Sequence, residues 1–514
     1  MPDFDFIRTP PPPVPVITPV TPPWGWRRGW EGRRIVVLLR DSPKVDPDDP
    51  RTIPDRDAWD QIEGAFGVKV ASLFAGAVSL SQLLEIDGIA QESRPEGERR
   101  EPSSRAAPAD DGDRRAPSSA AARPASTSRA AAAARRAGAA LRGFIFGLAP
   151  SDPPPRPLSS IVEVRVPAGG RDLVALLRAI RSLESVEQAY LASRRGAMPG
   201  GYGSSGGSLE GDQFYLEAGS GVNAVAAGTA RGEGVTVIDV ERAWGLPHDD
   251  VPEPTVLPGD VIDHWQDHGI AVLGILGARD NQVGTRGIAT EARLKAIPSQ
   301  APGFGPPNVA VAITMLIAPG KSYSAPGDII LIEEQTNGLL PVEIEPHNRA
   351  AIQAATACGR VVIEAAVPGG LCLDKETWLD QRVLKPGADG YADSGAIMVG
   401  SAFPQTLVPL ISSNYGERLD CFAPGRDIAT TAWSNAYMPN FSGTSAAAAI
   451  VAGAAAVVQG LAGGRPLTSR QMRWVLTDSA SMTRGGSRPI GGLPDLGRIA
   501  ATRPWAEARA NEPA

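Results

Sequence analysis

Phe441-Ser442-Gly443-Thr444-Ser445, followed by the run Ala446-Ala447-Ala448-Ala449-Ile450-Val451-Ala452-Gly453-Ala454-Ala455-Ala456-Val457-Val458, decides the fold. A glycine beside two hydroxyl residues makes a tight turn, and the run that follows it is almost wholly apolar and of helical length. Alanine is the best helix former, and small side chains on every face suit a helix buried against a sheet. Ser445 then falls at the helix N-terminus, where outward-pointing N–H groups favour developing negative charge. The plainer reading makes Thr444 or Ser445 an N-cap. Two upstream segments favour chemistry: Gly234-Val235-Thr236-Val237-Ile238-Asp239, a β-branched run ending in a carboxylate, and Asp267-His268-Gly269, which opens the apolar run Ile270 to Leu276. The order along the chain is Asp239, His268, Ser445.

At 514 residues the chain has room for two or three domains and a large core. Gly 57 and Pro 48 together are too many for a compact fold throughout and point to long loops or inserts. A net charge of -7 gives no electrostatic case for nucleic acid. Cys358, Cys372 and Cys421 do not make a disulfide scaffold, although one bridge, for example between Cys372 and Cys421, is compatible with their number. Four histidines (His248, His264, His268, His347) argue against a multi-histidine zinc site. The stretch Met1 to Pro23 lacks the basic and apolar regions of a secretion signal. Ala446 to Val458 is too short to span a membrane.

Composition and periodicity divide the chain. Residues 1–32 read as a proline-rich disordered leader. Residues 33–91 and 141–198 read as a small α+β domain split by a low-complexity insert at 92–140, whose Ala130 to Leu141 portion is the alternative site of an exposed helix. Strands are expected at Arg34 to Leu39, Ile161 to Val166 and Val186 to Leu191, and helices at Asp55 to Phe66 and Leu173 to Leu183. A Gly/Ser linker covers 199–211. From 212 to 505, short apolar strands (Gly234–Ile238, Asp328–Glu333, Val361–Ala365, Ala396–Gly400, Val408–Ser412) alternate with helices (His268–Leu276, Pro307–Ile317, His347–Cys358, Ala446–Leu461, Ser469–Asp478). That alternation predicts an α/β domain with a mostly parallel sheet covered on both faces.

These segments resemble the subtilisin-like serine proteases, the subtilase family, over about residues 212–503. The resemblance is carried by Gly443-Thr444-Ser445 and its helix, Val237-Ile238-Asp239, His268-Gly269, Ser413-Asn414-Tyr415-Gly416 and Phe422-Ala423-Pro424-Gly425. It implies a three-layer subtilisin-like domain and a serine endopeptidase. Ser445 would attack the peptide carbonyl, His268 would move the proton, and Asp239 would orient the imidazole. The small domain, ending Glu187-Gln188-Ala189-Tyr190, resembles an inhibitory propeptide and would be an intramolecular partner. The other partner would be a peptide or protein substrate; the chain is expected to be a monomer, with neither nucleic acid nor membrane. The family is usually secreted.

Three departures accompany the resemblance. Val367-Pro368-Gly369-Gly370 stands where the family has Gly-Asn-Gly-Gly, so Pro368 replaces the asparagine that donates to the oxyanion and leaves the Ser445 amide as the remaining donor. Losing such a donor costs about 10²–10³ in turnover. Ala449 replaces a usual proline and Ile270 a usual threonine. The alternative function is therefore a catalytically impaired pseudo-protease, a peptide-binding or structural module. The substrate cleft is expected to involve Glu333, Glu334, Ala365, Ala366 and Gly369, and the two acids read either as selecting a basic side chain or as solvated strand-end carboxylates. No cofactor is required. The loop Arg279 to Gly287 resembles a calcium loop with ligands from Asn281, Val283 and Thr285, against which stand the charges of Arg279 and Arg286.

Overall fold

A computed structural model describes residues 33–66, 68–75, 77–92, 155–166, 173–192, 209–261, 265–300, 308–478, 482–484 and 488–511. The leader, nearly all of the insert with its alternative helix, most of the Gly/Ser linker, and His264 lie outside the described residues.

The small domain is a four-stranded antiparallel sheet in the order β2-β3-β1-β4: β1 Arg33–Leu39, β2 Lys69–Ser72, β3 Ile161–Val166 and β4 Val186–Leu191. Helices α1 (Arg56–Phe66), α2 (Leu80–Glu92) and α3 (Leu173–Arg181) complete it. β1 is apolar on both faces because both are buried. Ile35, Val37 and Leu39 meet Trp59 and Ile62 of α1 and Leu176, Leu177 and Ile180 of α3. Val36 and Leu38 face the other way, into a core shared with the large domain. Asp87 joins the two halves across the insert, its carboxylate accepting from Leu158 N (2.7 Å) and Ser159 Oγ (2.7 Å).

The large domain is built on a nine-stranded sheet in the order β14-β15-β11-β10-β9-β8-β5-β7-β6. Its strands are β5 Thr236–Glu241, β6 Thr255–Val256, β7 Arg293–Pro298, β8 Ile329–Ile332, β9 Val361–Ala365, β10 Ile397–Ala402, β11 Cys421–Pro424, β14 Met482–Arg484 and β15 Gly492–Pro494. All pairings are parallel except β14 with β15. Helices α4 (Gln266–Gly277) and α7 (Thr444–Ala462) cover one face. Helices α5 (Val309–Ile317) and α6 (Pro346–Ala357) cover the other, where they also receive the small domain. Helices α8 (Ser469–Thr477), α9 (Leu496–Thr502) and α10 (Trp505–Asn511) follow, and β12 (Ile428–Ala432) with β13 (Ala436–Phe441) forms a separate hairpin leading into the serine turn.

Two expectations need correction. Val408–Ser412 is not a strand: Pro409 removes a ladder donor, Gln405 and Leu407 take positive φ, and Val408 and Ile411 point into solvent. The serine helix is longer than its alanine run: it has 19 residues, and an 18-residue window of it has mean hydropathy 1.8, long and apolar enough to cross a membrane by length and composition alone. That window is 78% buried inside the domain, which accounts for its composition by core packing.

Candidate active site

In a parallel sheet the crevice lies beyond the C-terminal strand ends. Side chains two apart on a strand share a face, so Asp239 and Glu241 of β5 both turn toward α4 and α7. Val237, one step earlier on that face, packs in the core that those helices line. β8 runs parallel beside β5 with Val240 opposite Ile332. Glu333 follows immediately, its N–H donating to Val240 O (3.1 Å), and so becomes the lateral neighbour of Glu241.

The carboxyl that meets the histidine is that of Glu241. Its Oε2 is hydrogen-bonded to His268 Nδ1, and both side chains are buried. Asp239 lies one step deeper, fully buried, and accepts from Trp244 Nε1 (2.8 Å). Its other oxygen has no hydrogen-bond partner among the described residues. The structure thus puts Glu241, and not the expected Asp239, against His268, because β5 continues two residues past Asp239 and carries Glu241 to the edge of the crevice. Burial first, and then the charge of Glu241, push the Asp239 pKa well above the usual carboxylate range. Of two close buried carboxyls, the deeper one is held neutral.

His268 stands in the first turn of α4. Gly269 admits the helix so close to the preceding loop that a methyl there would collide with the Ala243 carbonyl oxygen. At Ile270, where threonine was expected, the side chain is buried, while Thr431 Oγ1 and Thr430 Oγ1 donate to the carbonyls of Ile270 and Ala271 (2.7 Å each). Hydroxyl bonding at this helix start thus comes from β12. The His268 ring packs edge-on against Phe441, with centroids 5.4 Å apart, which ties the serine turn to the histidine.

Ser445 occupies the second position of α7. The N-cap is Gly443, at φ 118° and without a side-chain cap, so neither Thr444 nor Ser445 fills that role. Gly443 N donates to Gly425 O (2.8 Å), anchoring the turn. Ala449 is fully buried in a helix that runs on through its position without a break. The Ser445 hydroxyl lies against the Glu333 carboxyl and is the one contact that lowers its pKa.

Ala365 ends β9, and Ala366, Pro368 and Gly369 follow in a loop that Asn414 braces. Asn414 Nδ2 donates to Ala366 O (2.7 Å) and Leu339 O (2.8 Å), its Oδ1 accepts from Leu371 N (2.8 Å), and its N–H donates to Val367 O (3.1 Å). Its amide is therefore committed to the loop. Val367 sits at φ 74°, an outlier for a β-branched residue and more so before proline. Such strain costs about 1–3 kcal/mol.

The expected acidic recognition pair is not exposed in the cleft. Glu334 is buried and bound bidentately by Arg242 (3.0 and 2.9 Å), with Ser299 Oγ donating at 2.5 Å. Glu333 is 1% exposed. The supposed calcium loop is organised around another carboxylate. Asn281 Nδ2 and Thr285 N both donate to Asp250 (3.1 Å each), and Asn281 Oδ1 accepts from Val283 N (2.9 Å). Asn281, Val283 and Thr285 therefore close a turn on Asp250, and the Asn281 side-chain oxygen is already engaged within that turn. No group of three or more His, Cys, Asp or Glu residues suited to a metal occurs among the described residues. All three cysteines are free thiols, so Cys372 and Cys421 do not bridge.

A strand-end acid on β5, a histidine on α4 and a serine opening α7 meet at one end of a parallel sheet, and residues 246–493 match the family model for the Subtilase family. Residues 246–493 form a subtilase domain. Its family is one of serine proteases, and the match includes His268 and Ser445 but begins after Glu241. Among solved structures, the chain is similar to a protease from Pseudoalteromonas arctica. The identity is 20%, covering 57% of this chain and 98% of that one, with a TM-score of 0.43. No curated protein matches.

Proposed function

We propose that the subtilase domain is a serine endopeptidase whose working triad is Ser445, His268 and Glu241. The observation that carries this is the bond between His268 Nδ1 and Glu241 Oε2. A carboxylate on Nδ1 fixes the tautomer that leaves Nε2 free to accept the serine proton, and it stabilises the imidazolium that results. Ser445 Oγ then bonds to the peptide carbon while His268 takes its proton and returns it to the leaving amine. The N–H groups at the start of α7 favour the negative charge that develops.

Pro368 supports slow turnover, and with it the second reading, a module that binds peptides and cleaves little. A fluorophosphonate probe, which needs an activated serine, decides between them. Labelling that disappears in Ser445→Ala is the expected result. A folded chain that binds peptides but takes no label would establish the binding module instead.

A further inference from the structure

Glu333 is a buried acid that the triad does not use. It is 1% exposed, at the end of β8, laterally adjacent to Glu241 and against the Ser445 hydroxyl. Neither carboxyl oxygen forms a hydrogen bond of normal geometry among the described residues. The charged and titratable groups around it are Asp239 and Glu241 from β5, Glu334 from its own segment, Arg242 beyond β5, and His268 from α4. Arg242 is bound bidentately to Glu334. A carboxylate in this position would be a buried anion beside Glu241 with no cation bound to it among the described residues, which folded proteins avoid by keeping the group neutral. A neutral carboxyl differs from a carboxylate in one useful respect: it has an O–H to donate.

We propose that the Glu333 carboxyl is a catalytic residue, donating a hydrogen bond to the substrate oxygen that becomes negative as Ser445 attacks, in place of the side-chain donor that Pro368 cannot supply. This rests on the triad reading above. As the Oγ–C bond forms, the carbonyl π pair moves onto oxygen and the Oγ proton passes to His268 Nε2. Glu333 keeps its own proton and shares it with the oxyanion. When the C–N bond breaks, the pair returns to the carbonyl and the amine leaves with the proton from His268. Desolvation raises the Glu333 pKa well above its ordinary value, which favours the donor form at neutral pH. A buried acid kept neutral is a known way to provide such a donor.

The test is the pH profile of kcat on a peptide substrate for the full chain, Glu333→Gln and Glu333→Ala, with fluorophosphonate labelling of Ser445 measured alongside. Glutamine keeps an N–H donor that does not titrate. It is expected to retain turnover within about tenfold and to lose the alkaline fall that Glu333 ionisation imposes on the natural chain. Alanine is expected to lower kcat by about 10²–10³, and adding Pro368→Asn to it should recover about tenfold or more. Alanine turnover equal to that of the natural chain, with the serine still labelled, would overturn the role of Glu333 and leave the triad standing. Glutamine as damaging as alanine would also overturn it, because the site would then need a carboxylate. If the natural chain neither labels nor cleaves, both readings fall together.

Discussion

At the scale of single residues, the proposed triad assigns different work to Asp239 and Glu241, and activity and pH response can tell them apart. Removing the charge from the acid that holds the histidine tautomer costs about 10⁴ in kcat. Glu241→Gln is expected to approach that loss, whereas Asp239→Asn, whose side chain can still accept from Trp244, should stay within about tenfold. Assay of both variants on one peptide substrate checks the assignment, and equal losses would contradict it. Asp239 also carries a stability signature. Its folded pKa is raised, so the folded state keeps a proton that the unfolded chain releases above about pH 4. Stability from this group is complete below that value and declines as the pH rises toward the folded pKa. The melting temperature of Asp239→Asn should therefore gain on that of the natural chain between pH 4 and pH 8. A constant difference across that range would show that Asp239 does not titrate as described. In the sequence, Asp239 and Glu241 are equally visible. What separates them is where β5 ends, and the expected end at Ile238 falls three residues short of Glu241. Side-chain alternation puts both acids on one face, and the rule that the crevice lies beyond the C-terminal strand end favours the later one.

Among the elements, legibility followed the strength of the pattern. The expected strand Val361–Ala365 and the alternating strand Ile161–Val166 appear with those same ends, and the serine helix is anchored by its alanines. β11 (Cys421–Pro424) is four residues long and ends in proline, and the hairpin of β12 and β13 is rich in Ala and Thr, so neither stands out by periodicity. The bracing by Asn414 was hidden for another reason, since a side chain that holds a distant loop leaves no local signal. That residue gives the prediction at this scale. Asn414→Ala would leave the Ala366 and Leu339 carbonyls and the Leu371 N–H without the partner they have now. Of these only the Ala366 carbonyl is fully buried, and a buried group so orphaned costs about 1–3 kcal/mol, while the strained Val367 would lose one support of its positive φ. The variant should melt well below the natural chain and lose turnover more steeply than it loses stability. Thermal denaturation and kcat on the same preparation measure both quantities.

For the whole molecule, the small domain and the subtilase domain are joined by a continuous core. Val36, Leu38, Phe74, Leu83, Ile86 and Tyr190 pack with the residues of α5 and α6. Polar contacts fix the register: Gln82 Nε2 donates to Pro319 O (2.6 Å), the Tyr190 hydroxyl meets His347 Nδ1 (3.1 Å), and the Tyr190 ring stands edge-on to Trp378 at 4.9 Å. The expected end of the small domain, Glu187-Gln188-Ala189-Tyr190, therefore lies in the docking surface. Interfaces between independent domains are usually more polar than this, and a shared apolar core makes the two halves melt together. Phe74 is the residue to remove, being fully buried in that core and distant in sequence from every group assigned to catalysis. Phe74→Ala is expected to cost about 3–5 kcal/mol and to split the calorimetric transition, with the small domain unfolding first. Limited proteolysis should then cut within residues 33–192 at temperatures where the subtilase domain resists. A single transition that shifts without splitting would mean that the large domain depends on the small one for its own stability.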